Sequence, residues 1–165
     1  MAAGCELEIE WPNDLYHDGR KLAGTLTELR SLGGAVQEVV VGTGFNVYHA
    51  TADFPAPLAA HATSLAMVRG DAEIDRENLA RVYVERLTQR VALLESGGWK
   101  HLREAWSARA PRAHGARVSV RRHHGGDTAS GLTRGVDDRG TLRVEWADGS
   151  VVDVHPGDSV VRQGI

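Results

Sequence analysis

The chain has 165 residues, 42% of them hydrophobic and 25% charged, with a formal net charge of -3. That composition suits a globular protein of one domain, or one domain with a small appendage, and lacks the basic surplus of a nucleic-acid or anionic-membrane binder. The single cysteine, Cys5, excludes an internal disulfide framework, and no apolar run approaches the roughly 18 residues of a membrane span, so a reducing, cytoplasmic setting is expected.

At the start, Leu7, Ile9 and Trp11 alternate with Glu6, Glu8 and Glu10, the period of a strand with one buried face. Pro12 and the Asn13-Asp14 pair stop that strand, because proline donates no hydrogen bond and Asn/Asp favour turns. Asp18-Gly19 reads as a tight hairpin turn, with a second strand over 21–32 and, after Gly33-Gly34, a β-branched third strand over 36–41. Three strands joined by short turns predict an antiparallel meander. Phe54-Pro55-Ala56-Pro57 reads as irregular, and 59–68 has room for one short helix. Asp75 is a good N-cap for the longest helix, in which Leu79, Val82, Tyr83, Leu87, Val91 and Leu94 recur at helical spacing before Gly97-Gly98 closes it. A second amphipathic helix carries Trp99, Leu102, Ala105 and Trp106.

Residues 111–115 read as a linker. Beyond them the spacing predicts four strands, over 116–122, 129–136, 141–146 and 151–155, separated by turns rich in Gly and Asp. Short strands with tight turns over about 50 residues suggest a small SH3-like β-barrel. The expected division is therefore 1–112 and 113–165.

Asn13 and Asp14 at the end of one strand, and Lys21 at the start of its hairpin partner, should lie close together. A carboxylate beside an ammonium suits a site for a nucleotide or a carboxylate substrate: lysine supplies a compact charge to phosphate, and aspartate can hold Mg²⁺ together with phosphate oxygens. The same spacing also describes a surface salt bridge beside an Asx-turn, and spacing alone leaves both open. Gly42-Thr43-Gly44 lets a ligand approach the backbone or forms a plain bulge. The Asn46 amide either reads a nucleotide or caps a turn. His123-His124 are neighbours on a strand and face opposite ways, so they read as surface residues rather than joint metal ligands. Asp137-Asp138-Arg139-Gly140 reads as a hairpin turn, since it lacks the twelve-residue pattern of a Ca²⁺ loop. Cys5 has no adjacent histidine to make it a nucleophile.

The run Glu10-Trp11-Pro12-Asn13-Asp14-Leu15, followed by Gly19-Arg20-Lys21-Leu22-Ala23-Gly24 and Glu28, resembles the biotin protein ligase signature. Val41-Gly42-Thr43-Gly44-Phe45-Asn46-Val47 is similar to that family's G-x-G-[IF]-N-[VL] segment. The similarity continues through Pro55, Ala62-Thr63-Ser64-Leu65 and the helix from Asp75, to Gly131, Gly135-Val136-Asp137 and Gly140-Thr141-Leu142. It thus covers essentially the whole chain, in order.

The resemblance implies an α+β fold: part of a class II synthetase-like (biotin/lipoate ligase-like) mixed sheet with helices, then an SH3-like barrel. It implies a two-step reaction in which biotin and Mg·ATP give biotinyl-5′-adenylate, and a lysine of a biotin carboxyl carrier protein domain then attacks it. By motif position Lys21 is the catalytic residue, contacting biotin and ATP phosphate. Asn46 contacts the nucleotide, Asn13 and Asp14 line the site, and Asp14 is the candidate Mg²⁺ ligand through phosphate. Gly24 and Gly44 allow the backbone to pack on the ligand.

Two departures stand out. Glu10 occupies a position where the family usually has lysine, a charge reversal that would repel polyphosphate at short range, or be neutral if Glu10 points away, as the strand alternation permits. The family's N-terminal half, with its Gly/Arg-rich loop, is not recognisable before the first strand, so this chain alone is expected to be weak or inactive, and to pair with that half or with a second copy. No membrane or nucleic-acid partner is expected through this segment. One alternative is a non-catalytic carrier-binding or subunit-pairing module using an exposed sheet edge. Another is lipoate–protein ligation, which shares the N-D-x and Lys-x-x-Gly arrangement; Trp11-Pro12, Leu22-Ala23 and the expected barrel favour biotin.

Overall fold

A computed structural model of the protein describes residues 6–70, 73–121 and 128–162. Cys5, His123 and His124 lie outside them, as do the glycines of the 125–127 turn. The chain divides into two compact units, Met1–Glu8 with Asn13–Thr88, and Ile9–Pro12 with Gln89–Ile165.

The first unit is built on β2 (Asp14–His17), β3 (Arg20–Leu32) and β4 (Ala35–Phe45), paired in that order, and the short strand β1 (Glu8–Glu10) passes from the first unit into the second at Ile9. The expected meander is present, with one strand more than the alternation gave. Pro12 and Asn13 do end β1, but Asp14 opens β2 instead of closing the strand before it. The β2–β3 turn places Asp18 at φ 46° and Gly19 at φ 74°, the paired left-handed geometry of a two-residue hairpin whose twist matches its strands. The β2–β3 and β3–β4 pairs are antiparallel, and the parallel element of this unit is an isolated bridge between Lys21 and Ala62. The mixed sheet implied by the resemblance is therefore antiparallel in these pairs.

The single short helix expected over 59–68 is two helices, α1 (Ala56–Ala59) and α2 (Leu65–Arg69). Pro57 sits in the first turn of α1, where a missing N–H costs nothing, so the Pro-rich stretch starts a helix instead of forbidding one. Ser64 separates the two by capping α2, its Oγ accepting from the Met67 N–H at 3.2 Å. Leu22, Leu65 and Ile74 are buried together, with Leu7, Val47, Ala66, Val68 and Leu79 packed around them.

Helix α3 (Arg76–Glu95) begins as expected, the Asn78 N–H donating to Asp75 Oδ1 at 2.9 Å. Its apolar face is covered only in part: Leu79, Val82, Tyr83 and Leu87 are half-buried, while Val84, Val91 and Leu94 are exposed.

The second unit contains α4 (Trp99–Ser107) and a sheet of β5 (His114–Arg121), β6 (Ala129–Val136), β7 (Leu142–Trp146), β8 (Val151–Val154) and β9 (Ser159–Arg162). The spatial order is β8-β7-β6-β5-β9, with every neighbouring pair antiparallel. Strand β9 was not expected; it pairs with β5 across three intervening strands, a range that short-range patterning does not reveal. The stretch read as a linker is a single 3₁₀ turn, Pro111–Ala113, and both Ala110 and Ala113 are buried in the core with Val118, Val120, Leu142, Val144 and Val154. This buried cluster is aliphatic, with Trp11, Trp106 and Trp146 packed against it.

Candidate functional site

Asp14 opens β2 opposite Gly24 of β3, and Gly24 in turn lies opposite Gly44 of β4. These positions, with Asn13, Lys21, Thr25, Leu26, Gly42 and Thr43, line one pocket of about 630 Å³. Lys21 Nζ stands 2.6 Å from Asp14 Oδ2, with both side chains partly exposed. A partly solvated pair of this kind adds little to stability; what it does is hold the ammonium in one place.

Gly24 makes the pair possible. A Cβ there would lie 2.9 Å from Asp14 Oδ1, closer than real Cβ atoms pack, and a tight 3.1 Å from Lys21 Nζ, so an alanine would make the ends of these two side chains shift. At Gly44 an added Cβ would meet nothing within 4 Å. The resemblance gave both glycines one role, room for ligand against the backbone; in the structure Gly24 clears space for side chains, and Gly44 leaves open space.

The main chain of Lys21 is clamped as firmly as its head group. Its N–H donates to His61 O at 2.7 Å, and its carbonyl accepts from the Thr63 N–H at 2.9 Å. Thr63 and Ser64 are fully buried, and Ser64 Oγ also donates to His49 O at 2.6 Å. Leu22 and Ala23, next along β3, are buried too. The lysine stem therefore leaves a fixed backbone.

Asn13 bridges β2 and β3: its side-chain amide donates to Thr25 O, and its carbonyl accepts from the Thr25 N–H at 3.0 Å. Asn46 follows β4 and does not line the Lys21 pocket. Its backbone joins Leu22 to the start of α2, donating to Leu22 O at 3.0 Å and accepting from the Leu65 N–H at 2.9 Å. Five of the six expected positions (Asn13, Asp14, Lys21, Gly24, Gly44) thus share one pocket, and the sixth sits beside its floor strand.

Sequence reasoning passed over Thr25, Thr43 and Tyr83. Thr25 and Thr43 are cross-strand partners whose hydroxyls are 3.1 Å apart, and the Thr43 hydroxyl is also hydrogen-bonded to Tyr83 OH of α3. The Tyr83 ring meets Phe45 edge-on, with centroids 5.6 Å apart. The signal was present in the alternation: Thr43 between two glycines is the one side chain that can anchor that stretch of strand.

In the second unit, Asp137 Oδ1 accepts from the Thr141 and Arg139 N–H groups, both at 2.8 Å. These bonds, Thr141 first, hold its carboxyl below the ordinary carboxylate range. The Asp137–Gly140 segment is a hairpin turn, as its sequence implied. Glu10, the departure from the family motif, has its carboxylate 3.6 Å from Arg112 Nη1, so its charge is matched within the second unit.

Residues 2–46 match the model of the Biotin/lipoate A/B protein ligase family. The chain is 32% identical over 148 residues to the bifunctional ligase/repressor BirA of Bacillus spizizenii, covering 90% of this chain and 44% of that protein. It is 34% identical over 138 residues to the biotin–[acetyl-CoA-carboxylase] ligase of Paracoccus denitrificans, covering 82% and 55% respectively. The chain thus spans about half the length of these curated relatives. Among solved structures, the biotin protein ligase of Aquifex aeolicus has the same fold over 98% of this chain and 67% of its own, with a TM-score of 0.80 at 20% identity. A structure of that enzyme in complex with biotin and ATP matches at a TM-score of 0.76 and 22% identity, over 95% of this chain and 62% of its own. The motifs, the run of identity over most of the chain and the shared fold agree: the chain belongs to the biotin protein ligase family.

Proposed function

We propose that the Lys21 pocket is part of the site of ATP-dependent biotin ligation. The observation that carries this reading is the Lys21–Asp14 pair, seated over Gly24 with its lysine backbone clamped on both sides. In the first step the biotin carboxylate attacks the α-phosphorus of Mg·ATP, the bond to pyrophosphate breaks, and biotinyl-5′-adenylate forms. A fixed ammonium aimed at the phosphate or carboxylate oxygens is worth most where negative charge gathers in that transition state. Asp14 orients Lys21, and it is the one carboxylate lining the pocket among the described residues. That suits Mg²⁺, which arrives with phosphate and takes one or two protein carboxylates. In the second step the amine of a carrier-protein lysine attacks the acyl carbon and AMP leaves. Asn46 and Gly44 contact the nucleotide side in this reading.

The same proposal divides the chain into a partial catalytic region, 1–112, and an SH3-like C-terminal region, 113–165, with the five-stranded sheet as the wall of a small barrel. Biotin is preferred over lipoate because the Paracoccus denitrificans relative is named as a biotin–[acetyl-CoA-carboxylase] ligase.

The test is incubation of the 165-residue chain with biotin, Mg·ATP and a biotin carboxyl carrier domain, scoring adenylate and carrier biotin separately, beside a lipoate arm. Adenylate that appears with biotin and disappears in Lys21→Ala supports the reading. Transfer of lipoate alone would overturn it.

A second reading, subunit pairing without catalysis, is favoured by one observation. The far end of the β3–β4 hairpin exposes Leu29, Leu32, Val36, Val39 and Val40, and β4 is an edge strand that offers unpaired backbone groups to another strand. Sedimentation that gives a monomer across micromolar concentrations would count against it.

A further inference from the structure

The second unit contains a groove of about 620 Å³ to which none of the ligation residues contributes. Three indoles, Trp11, Trp99 and Trp106, and three guanidinium groups, Arg90, Arg103 and Arg109, line it, and among the described residues no carboxylate does. A volume of several hundred Å³ with mostly apolar aromatic walls and a few convergent polar groups is the usual form of a small-molecule site.

The walls are held before any ligand arrives. Trp11 Nε1 donates to Gly140 O at 3.0 Å, and Trp99 Nε1 donates to Asp138 O. Arg103 pairs with the Asp138 carboxylate, and Gly140 packs against the Trp99 ring, its Cβ position 3.6 Å from the nearest ring carbon. One hairpin turn, itself pinned by the Asp137 carboxylate, therefore anchors two indoles and one arginine. With their N–H groups satisfied, Trp11 and Trp99 offer ring carbon to the groove. Arg109 donates to Ala105 O, and among the described residues neither it nor Arg90 makes an ion pair. Both are exposed.

We propose that this groove binds a flat aromatic anion: a planar ring between the indoles, with a carboxylate, sulfonate or phosphate at Arg90 and Arg109. Ring stacking supplies contact area at little entropic cost because the walls are fixed, and guanidinium groups recognise oxyanions in a fork geometry. With three guanidinium groups and no carboxylate among the described lining residues, the groove disfavours cations of the same shape by charge. This site is independent of the ligation reading.

The probe is 2-naphthalenesulfonate, titrated calorimetrically into the whole chain beside its neutral counterpart 2-naphthalenemethanol. The sulfonate should bind with one-site saturation and at least tenfold more tightly than the alcohol. In the double variant Arg90→Glu/Arg109→Glu, both at exposed positions, sulfonate affinity should fall to the level of the alcohol while the alcohol is unchanged. Arg90→Gln/Arg109→Gln should give the same order with a smaller loss, and serves if the double reversal perturbs folding. Equal affinity for the two probes, or sulfonate binding that survives both variants, would overturn the proposal. So would binding abolished by Leu29→Lys/Val39→Lys, which would place the probe on the exposed β3–β4 hairpin.

Discussion

The two units are made from similar alternating strands, yet they use them differently. In the second unit the inward positions of β5, β7 and β8 are almost fully buried: Val118, Val120, Leu142, Val144 and Val154 form one core. In the first unit β3 and β4 are longer, with Leu22 and Ala23 buried at one end and Leu29, Leu32, Val36 and Val39 exposed at the other. One sheet spends its apolar residues on stability. The other is anchored at a single end, and that end is where Lys21 sits. Burial, not strand pattern, separates a scaffold from a working surface.

Four substitutions sharpen that contrast. Leu142→Ala, in the closed core, should cost about 2–5 kcal/mol by chemical denaturation, the range for a buried leucine replaced by alanine. A loss near zero would mean that the second unit has no tightly packed interior. Lys21→Ala should leave the denaturation midpoint nearly unchanged and lower biotinyl-adenylate formation by roughly 100–1000-fold, as for removal of one preorganised electrostatic group. Equal damage to stability and rate would make Lys21 a structural residue. Gly24→Ala should reduce the same rate by about tenfold or more, because the added methyl displaces the pair and small misplacements near reacting groups are costly. Leu29→Ala, on the exposed end of the hairpin, should shift stability by no more than about 0.5 kcal/mol. A much larger loss would show that this surface is covered in solution.

A pH titration adds a fifth comparison. The Asp137 carboxyl is held below its ordinary range by backbone N–H groups, and those of Glu145 and Asp148 by Arg134 and Ser150 respectively. A carboxyl depressed in the folded state contributes stability that is present above its unfolded pKa and is lost as pH falls through the folded value. The second unit should therefore weaken on acidification below the ordinary carboxylate range. Asp137→Asn, which keeps an acceptor oxygen without the charge, should make that acid limb shallower. An unchanged limb would mean that the turn contributes no pH-linked stability.

Much of this was legible from local sequence. Asp18-Gly19 gave the hairpin, and from the hairpin followed the closeness of Asp14 and Lys21. Asp75 and the Leu79–Leu94 spacing gave α3. What was not legible is non-local. Strand β2, Asp-Leu-Tyr-His, has no clean alternation and begins directly after a turn signal, so it merged with the turn. The clamp on Lys21 comes from His61 and Thr63, forty residues away, and no periodicity announces a backbone pair of that range. The apolar stripe of α3 was read correctly as a stripe, but a stripe states which face would be buried and not whether anything lies on it. The neighbours of Gly24 were not legible for the same reason, since sequence does not say which atoms occupy the volume its missing side chain leaves.

The clamp has a consequence for signalling within the first unit. Because Lys21 O accepts from the Thr63 N–H, a ligand that damps the motion of the lysine should also slow the exchange of that amide. Amide hydrogen exchange at Thr63 then becomes a remote gauge of occupancy, readable on a residue buried away from solvent. The capped start of α2 is wired to the same seam through Ser64. A helix that touches no substrate would thus register, in its own opening rate, whether the site is filled.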